Sequence, residues 1–189
     1  MKDELFIAVL ATALSLLLAW GFRVLPGEKW QILAALPREK EENGTWRATN
    51  LTYYGIIIAS SYTLSLALVF VLLGSSGMGL FFTGAVATAM VFICLPASRI
   101  VARVVERKTS TLTVGGASFV GTLLSPWVVA GFDMVEGGRA LSSHGVMAVI
   151  AAFSIAYALG EGTGRLACIS FGCCYGKPVD KSPRWLRTM

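Results

Sequence analysis

Charge is what this chain has least of. Only 14% of its 189 residues are Asp, Glu, Lys or Arg, against 55% hydrophobic, and its mean hydropathy is +0.68. Ordinary soluble domains carry about a quarter charged residues, so the composition excludes that class and points to an integral membrane protein. Alternation is missing too. The apolar runs are too long and too unalternating for barrel strands, which leaves α-helices as the means of crossing a bilayer. Histidine occurs once, at position 144, so only one side chain titrates near neutral pH in its ordinary state. Cysteine occurs four times, three of them clustered at 168, 173 and 174, unlike the frameworks that staple small secreted domains. The net charge of +5 comes from ten Arg and six Lys. In a membrane chain such a balance reports topology and anionic head groups rather than nucleic acid.

The expected fold is all-α, a single integral membrane domain over 1–189 and a polytopic bundle of about five transmembrane helices. The helices are expected near 5–22, 51–73, 79–106, 114–132 and 145–172, with one long hydrophilic loop at 23–50. The first run is long and lacks a clean A-x-A site, which favours a retained helix over a signal sequence. Pro26, Gly27, Pro37, the mixed charges of 38–42 and Asn43-Gly44 make 23–50 a structured loop. Trp30, Leu33, Leu36 and Trp46 suit a place at its lipid boundary. The short turn Gly74-Ser75-Ser76-Gly77 joins the second and third helices as an antiparallel pair. The third helix either ends at Pro96 or continues with two buried arginines, Arg99 and Arg103, on one face. The fourth is entered through Gly115-Gly116 and interrupted by Pro126. Fifteen apolar residues precede Gly160, fewer than the ~20 needed to span a ~30 Å core. The fifth helix is therefore expected to run on, carrying Glu161 and Arg165 into the membrane.

That extension enters the stretch 160–176, GEGTGRLACISFGCCYG. An ionisable side chain inside a bilayer costs from ~2.5 kcal/mol upward, so it faces a polar cavity or a partner. Glu161 and Arg165 stand four apart with the acid first, the favourable order on one helix face. Two readings follow: the pair neutralises itself so that the helix can insert, or Arg165 offers its fork to a phosphate or other oxyanion. Glycines at 160, 162, 164, 172 and 176 allow close backbone approach, and 172 and 176 also have the spacing of a helix contact face. Cys168, Cys173 and Cys174 suit a thiolate near Arg165, three ligands completed by His144, or simple packing. C-x4-C-C is not a usual zinc spacing, and neither a metal nor a cofactor is expected. His144 is either a base or a residue of the helix entrance.

The string GRLACISFGCCYG resembles the signature of the prolipoprotein diacylglyceryl transferase family, whose better-known members carry G-R-(L/I)-G-N-F-x-N-G-E-x-x-G. Gly164, Arg165, Leu166, Gly172 and Gly176 fall on its shared positions. Cys168, Cys173, Cys174 and Tyr175 match a divergent branch with R-(I/L)-(G/A)-C-x-x-x-G-C-C-(Y/W)-G. Tyr53-Tyr54-Gly55 resembles the family's W-Y-G helix start, and Thr113-Val114-Gly115-Gly116 its H-G-G start, with Val114 in place of the histidine. Arg99 falls where the family has an arginine in the preceding helix.

The resemblance implies transfer of the diacylglyceryl group of phosphatidylglycerol to the lipobox cysteine thiol of a prolipoprotein, in the bacterial cytoplasmic membrane. Its partners would be that lipid and the prolipoprotein signal peptide, with no nucleic acid. Arg165 is the expected phosphate holder and Arg99 the second. His144 is the remaining candidate base, because Cys168 and Cys173 replace the family's Asn and Glu. Tyr54, Gly115, Gly116, Gly164 and Gly172 are expected at the lipid groove. The family continues into an H-P-(S/T)-Q-x-Y-E helix, so a chain ending at Met189 reads as truncated. Alternate crossing places fourteen Lys and Arg on the side of the motif and two on the other. The positive-inside rule alone puts the motif in the cytoplasm. The resemblance implies an outward motif, where exported prolipoprotein presents its cysteine, and that orientation is the one expected.

Overall fold

The computed structural model describes residues 2–42, 44–105, 107, 114–138 and 145–173. Most of them lie in five α-helices: α1 Lys2–Val24, α2 Tyr53–Ser75, α3 Leu80–Val104, α4 Val114–Val135 and α5 Gly145–Phe171. Each runs for 22 to 27 residues, enough to cross a ~30 Å core at ~1.5 Å per residue. Each is also apolar enough to do so. The protein is an all-α, multi-pass membrane bundle. α1 has Asp3 and Glu4 in its first turn and Arg23 in its last, the order that the helix dipole favours.

The segment between α1 and α2 is not a loop but a hairpin. After a single 3₁₀ turn at Glu28–Trp30, strand β1 (Ile32–Lys40) pairs antiparallel with β2 (Trp46–Thr52). Leu51 and Thr52, expected in the second helix, belong to β2. The reason is a cap: the Thr52 hydroxyl accepts the Gly55 N–H at 3.2 Å, which fixes the start of α2 at Tyr53. At the far end the Glu41 N–H donates to the Thr45 carbonyl at 2.8 Å and the Gly44 N–H to that of Glu41 at 2.9 Å. Pro37 brings no N–H to the ladder, a loss tolerated because a two-stranded sheet has only edge strands.

α3 does not stop at Pro96. The ring removes one backbone donor, yet the helix continues to Val104. Arg99 and Arg103 are consequently helical, but they are exposed rather than buried as the continued helix was expected to hold them.

The chain divides into two compact units, one of Met1–Tyr62 with Gly160–Met189 and one of Thr63–Leu159. In the first, the end of α5 buries Thr163, Leu166, Ala167 and Ser170, a three-and-four spacing that makes one helix face. Gly21 of α1 receives that face: a Cβ there would stand 2.5 Å from Leu166 Cδ2. In the second unit α3 packs along α4, with Phe82, Val86, Ala102 and Val129 fully buried. Gly121 makes room for Cys94, whose sulfur would lie 3.0 Å from a Cβ at that position. The Ser118 and Tyr157 hydroxyls share a hydrogen bond of 2.6 Å between α4 and α5.

Candidate functional site

The first unit holds the last three turns of α5, and their two faces differ in kind. Toward the protein lie Thr163, Gly164, Leu166, Ala167 and Ser170, all buried. The hydroxyls on this face turn back on their own helix, Thr163 to the Gly160 carbonyl at 3.4 Å and Ser170 to that of Ala167 at 2.9 Å. The Ser170 hydroxyl is thus satisfied within its own helix. Gly164 keeps the surface flat opposite α2, where a Cβ would meet Ile58 Cδ1 at an ordinary 3.6 Å. Away from the protein lie Gly162, Glu161 and Arg165, with side-chain exposures of 31% for the acid and 61% for the arginine. A guanidinium nitrogen of Arg165 donates to Glu161 Oε1. The continued helix thus carries both charges, on its outer face.

An aromatic tier closes this end of the unit. Trp30 stands edge-on between Trp20 of α1, at 6.3 Å, and Tyr53 of α2, at 4.9 Å, while Tyr54 meets Phe171 of α5 edge-on at 5.7 Å. Tryptophan and tyrosine collect at the head-group level. Arg165 sits six residues before Phe171, or about 9 Å deeper along the helix. A long aliphatic stem lets an arginine at that depth carry its charge back toward the head groups. The arrangement therefore places a planar, fork-shaped cation, paired with Glu161, on the outer face of α5.

Gly172 ends α5. Its φ of +73° is one that L side chains rarely adopt. Both its N–H and that of Cys173 converge on the Cys168 carbonyl, at 2.9 and 3.2 Å, the first the bond of an αL stop and the second the 6→1 bond of a Schellman stop. Its place in the motif thus has a backbone cause. Cys94 and Cys168 are partly buried, and Cys173 is exposed.

Tyr54, Gly164, Arg165 and Gly172 lie together in the first unit. Arg99, Gly115 and Gly116 belong to the second, where Arg99 and Gly115 are exposed and Gly116 is buried in the first turn of α4. Among the described residues neither Arg99 nor Arg103 has an ion-pair partner. His144 lies outside the described residues, as do Thr113, Cys174, Tyr175 and Gly176. Two features escaped the sequence. Trp20 and Phe171 join the aromatic tier, and a signal was present in their places at helix ends. The Ser118–Tyr157 bond had none, since nothing local connects residues 39 apart. Compared with protein-family models, with curated proteins and with solved structures, the chain matches none of them.

Proposed function

We propose that the protein is a transferase of the prolipoprotein diacylglyceryl transferase type, working in the bacterial cytoplasmic membrane. In this reading it moves the diacylglyceryl group of phosphatidylglycerol to the lipobox cysteine of an exported prolipoprotein. The observation that carries it is Arg165, an outward-facing guanidinium about 9 Å inside the aromatic tier, within a string that resembles that family's signature. The arginine holds the lipid phosphate by charge-assisted hydrogen bonds and stabilises the charge that builds on it. The thiol sulfur bonds to the glyceryl carbon, the carbon–oxygen bond to phosphate breaks, and the electron pair leaves on glycerol phosphate. The thiol proton goes to a base, the role assigned to His144. Tyr54, Gly164 and Gly172, of the same unit as Arg165, border the lipid.

The test is transfer by the purified protein in phosphatidylglycerol vesicles, read by mass spectrometry on a lipobox peptide. A diacylglyceryl mass gained with the wild type and lost with Arg165→Ala is the expected result. Unchanged transfer in the variant would overturn the role of Arg165. The Glu161–Arg165 pair also supports a non-catalytic bundle in which the two charges serve insertion alone. That second reading expects no transfer by any variant, and poor membrane integration of Arg165→Ala that is restored when Glu161→Ala accompanies it.

A further inference from the structure

The hairpin β1–β2 is exposed on both faces. Every residue of Ile32–Lys40 is exposed, and so is all of Trp46–Thr52 except the half-buried Thr52. Among them are five large apolar side chains: Ile32 at 53%, Leu33 at 45%, Leu36 at 60%, Trp46 at 61% and Leu51 at 45%. A lone two-stranded hairpin is marginal in water and gains stability when one of its faces is covered. We propose that the covering is the bilayer itself: the hairpin lies down along the head-group layer, with Trp46 as its outer anchor.

Continuity with the membrane-crossing helices comes first. The hairpin leaves α1 and enters α2, and its root is fixed in the aromatic tier by Trp30 and by the Tyr53 N–H, which donates to the Gln31 carbonyl at 3.2 Å. Dimensions decide the posture. The head-group zone adds roughly 5–7 Å to each side of the core, while a strand rises about 3.3 Å per residue. Standing upright, the hairpin would lift Trp46 about 20 Å above Thr52, into bulk water. Lying down with the Trp46 side against the bilayer keeps it in the interface.

The register chooses the face. Ile32/Thr52, Ala35/Asn50, Pro37/Ala48 and Lys40/Trp46 share one side, because alternate residues of β2 point the same way. Ala34/Leu51, Leu36/Thr49 and the opposite charges Glu39/Arg47 share the other. The first side has Trp46, Ile32 and Pro37 with a single charge, Lys40, whose stem suits snorkelling; it is the side set against the lipid. Residues 38–47 hold Arg38, Lys40 and Arg47 against Glu39, Glu41 and Glu42, so the charges cancel. The attraction is apolar and needs no anionic lipid.

The test compares wild type with Trp46→Phe in phosphatidylcholine vesicles, with and without brominated acyl chains, the difference emission being that of Trp46. Substituting an exposed tryptophan by phenylalanine leaves the fold in place. Brominated lipid should quench most of the difference emission, aqueous acrylamide little of it, with the same result when phosphatidylglycerol is mixed in. Quenching by acrylamide but not by bromine, or bromine quenching only in the presence of phosphatidylglycerol, would overturn the proposal. An Arg47→Trp change in the Trp46→Phe background should report the opposite pattern, water-accessible and unquenched by bromine. Equal bromine quenching at both positions would overturn the posture. None of these readouts depends on transferase activity.

Discussion

The contact between Gly21 and Leu166 gives the sharpest quantitative test of how α5 is held. A Cβ at position 21 would lie 2.5 Å from Leu166 Cδ2, 3.2 Å from Cδ1 and 3.4 Å from Cγ. Leu166 is only 3% exposed, so it has little room to swing aside. Overpacking of this kind costs about 1–3 kcal/mol. Alanine in place of a helical glycine returns up to about 1 kcal/mol, leaving Gly21→Ala destabilising by up to roughly 2 kcal/mol. Leu166→Ala alone removes a buried side chain, a loss of about 2–5 kcal/mol. In the double variant the new methyl enters the space that Leu166 vacated, the clash disappears, and only the helical gain remains. Gly21→Ala should then be neutral or stabilising in the Leu166→Ala background, a coupling of about 2 kcal/mol between the sites. Reversible unfolding in mixed micelles with rising dodecyl sulfate, followed by circular dichroism, measures all four corners of the cycle. Equal destabilisation by Gly21→Ala in both backgrounds would refute the packing of α1 against α5.

Two further outcomes use the same titration. Gly172→Ala should cost about 1–2 kcal/mol, because φ there is +73°. Gly162→Ala, in mid-helix with nothing within 4 Å of the added carbon, should be neutral or gain up to about 1 kcal/mol; reversal of the two would deny Gly172 its part in stopping α5. Ser118→Ala and Tyr157→Phe should show a coupling of about 0.6 kcal/mol, the usual size for an interhelical hydrogen bond in a membrane, and purely additive losses would remove that bond from the account.

The five helices were legible because lipid imposes one requirement, about 20 apolar residues in a row, that sequence displays directly. The extension of α5 through Glu161 and Arg165 was legible for the same reason, since residues 145–159 are too few to span. Its buried face was not announced by hydropathy, because in a membrane both faces of a helix are apolar and only contacts separate them. The hairpin hid behind its own punctuation. Pro26, Pro37 and Asn43-Gly44 signal turns, while the two register shifts at Ile32/Ala34 and Pro37/Glu39 break the alternation that would have identified β1 as a strand. At Pro96 the local rule was outweighed: one missing hydrogen bond costs less than ending a helix within the bilayer, where unpaired backbone groups have no water to turn to.

Under the proposed function, the placement of the charged pair makes compatible the two readings that sequence left as alternatives. Glu161 lies one turn deeper than Arg165, because α5 reaches the aromatic tier at its C-terminal end. The arginine therefore has two destinations, the carboxylate below it and the phosphate layer above. With the carboxylate as partner, the helix presents a neutral pair to the lipid and the cost of insertion falls. With a lipid phosphate as partner, the guanidinium keeps an anionic ligand on either side, since its planar fork has donors enough for both. On that proposal, insertion and phosphate binding draw on the same side chain. On the proposed function, the acid one turn below the arginine keeps the cation compatible with the bilayer and leaves it within reach of a lipid phosphate.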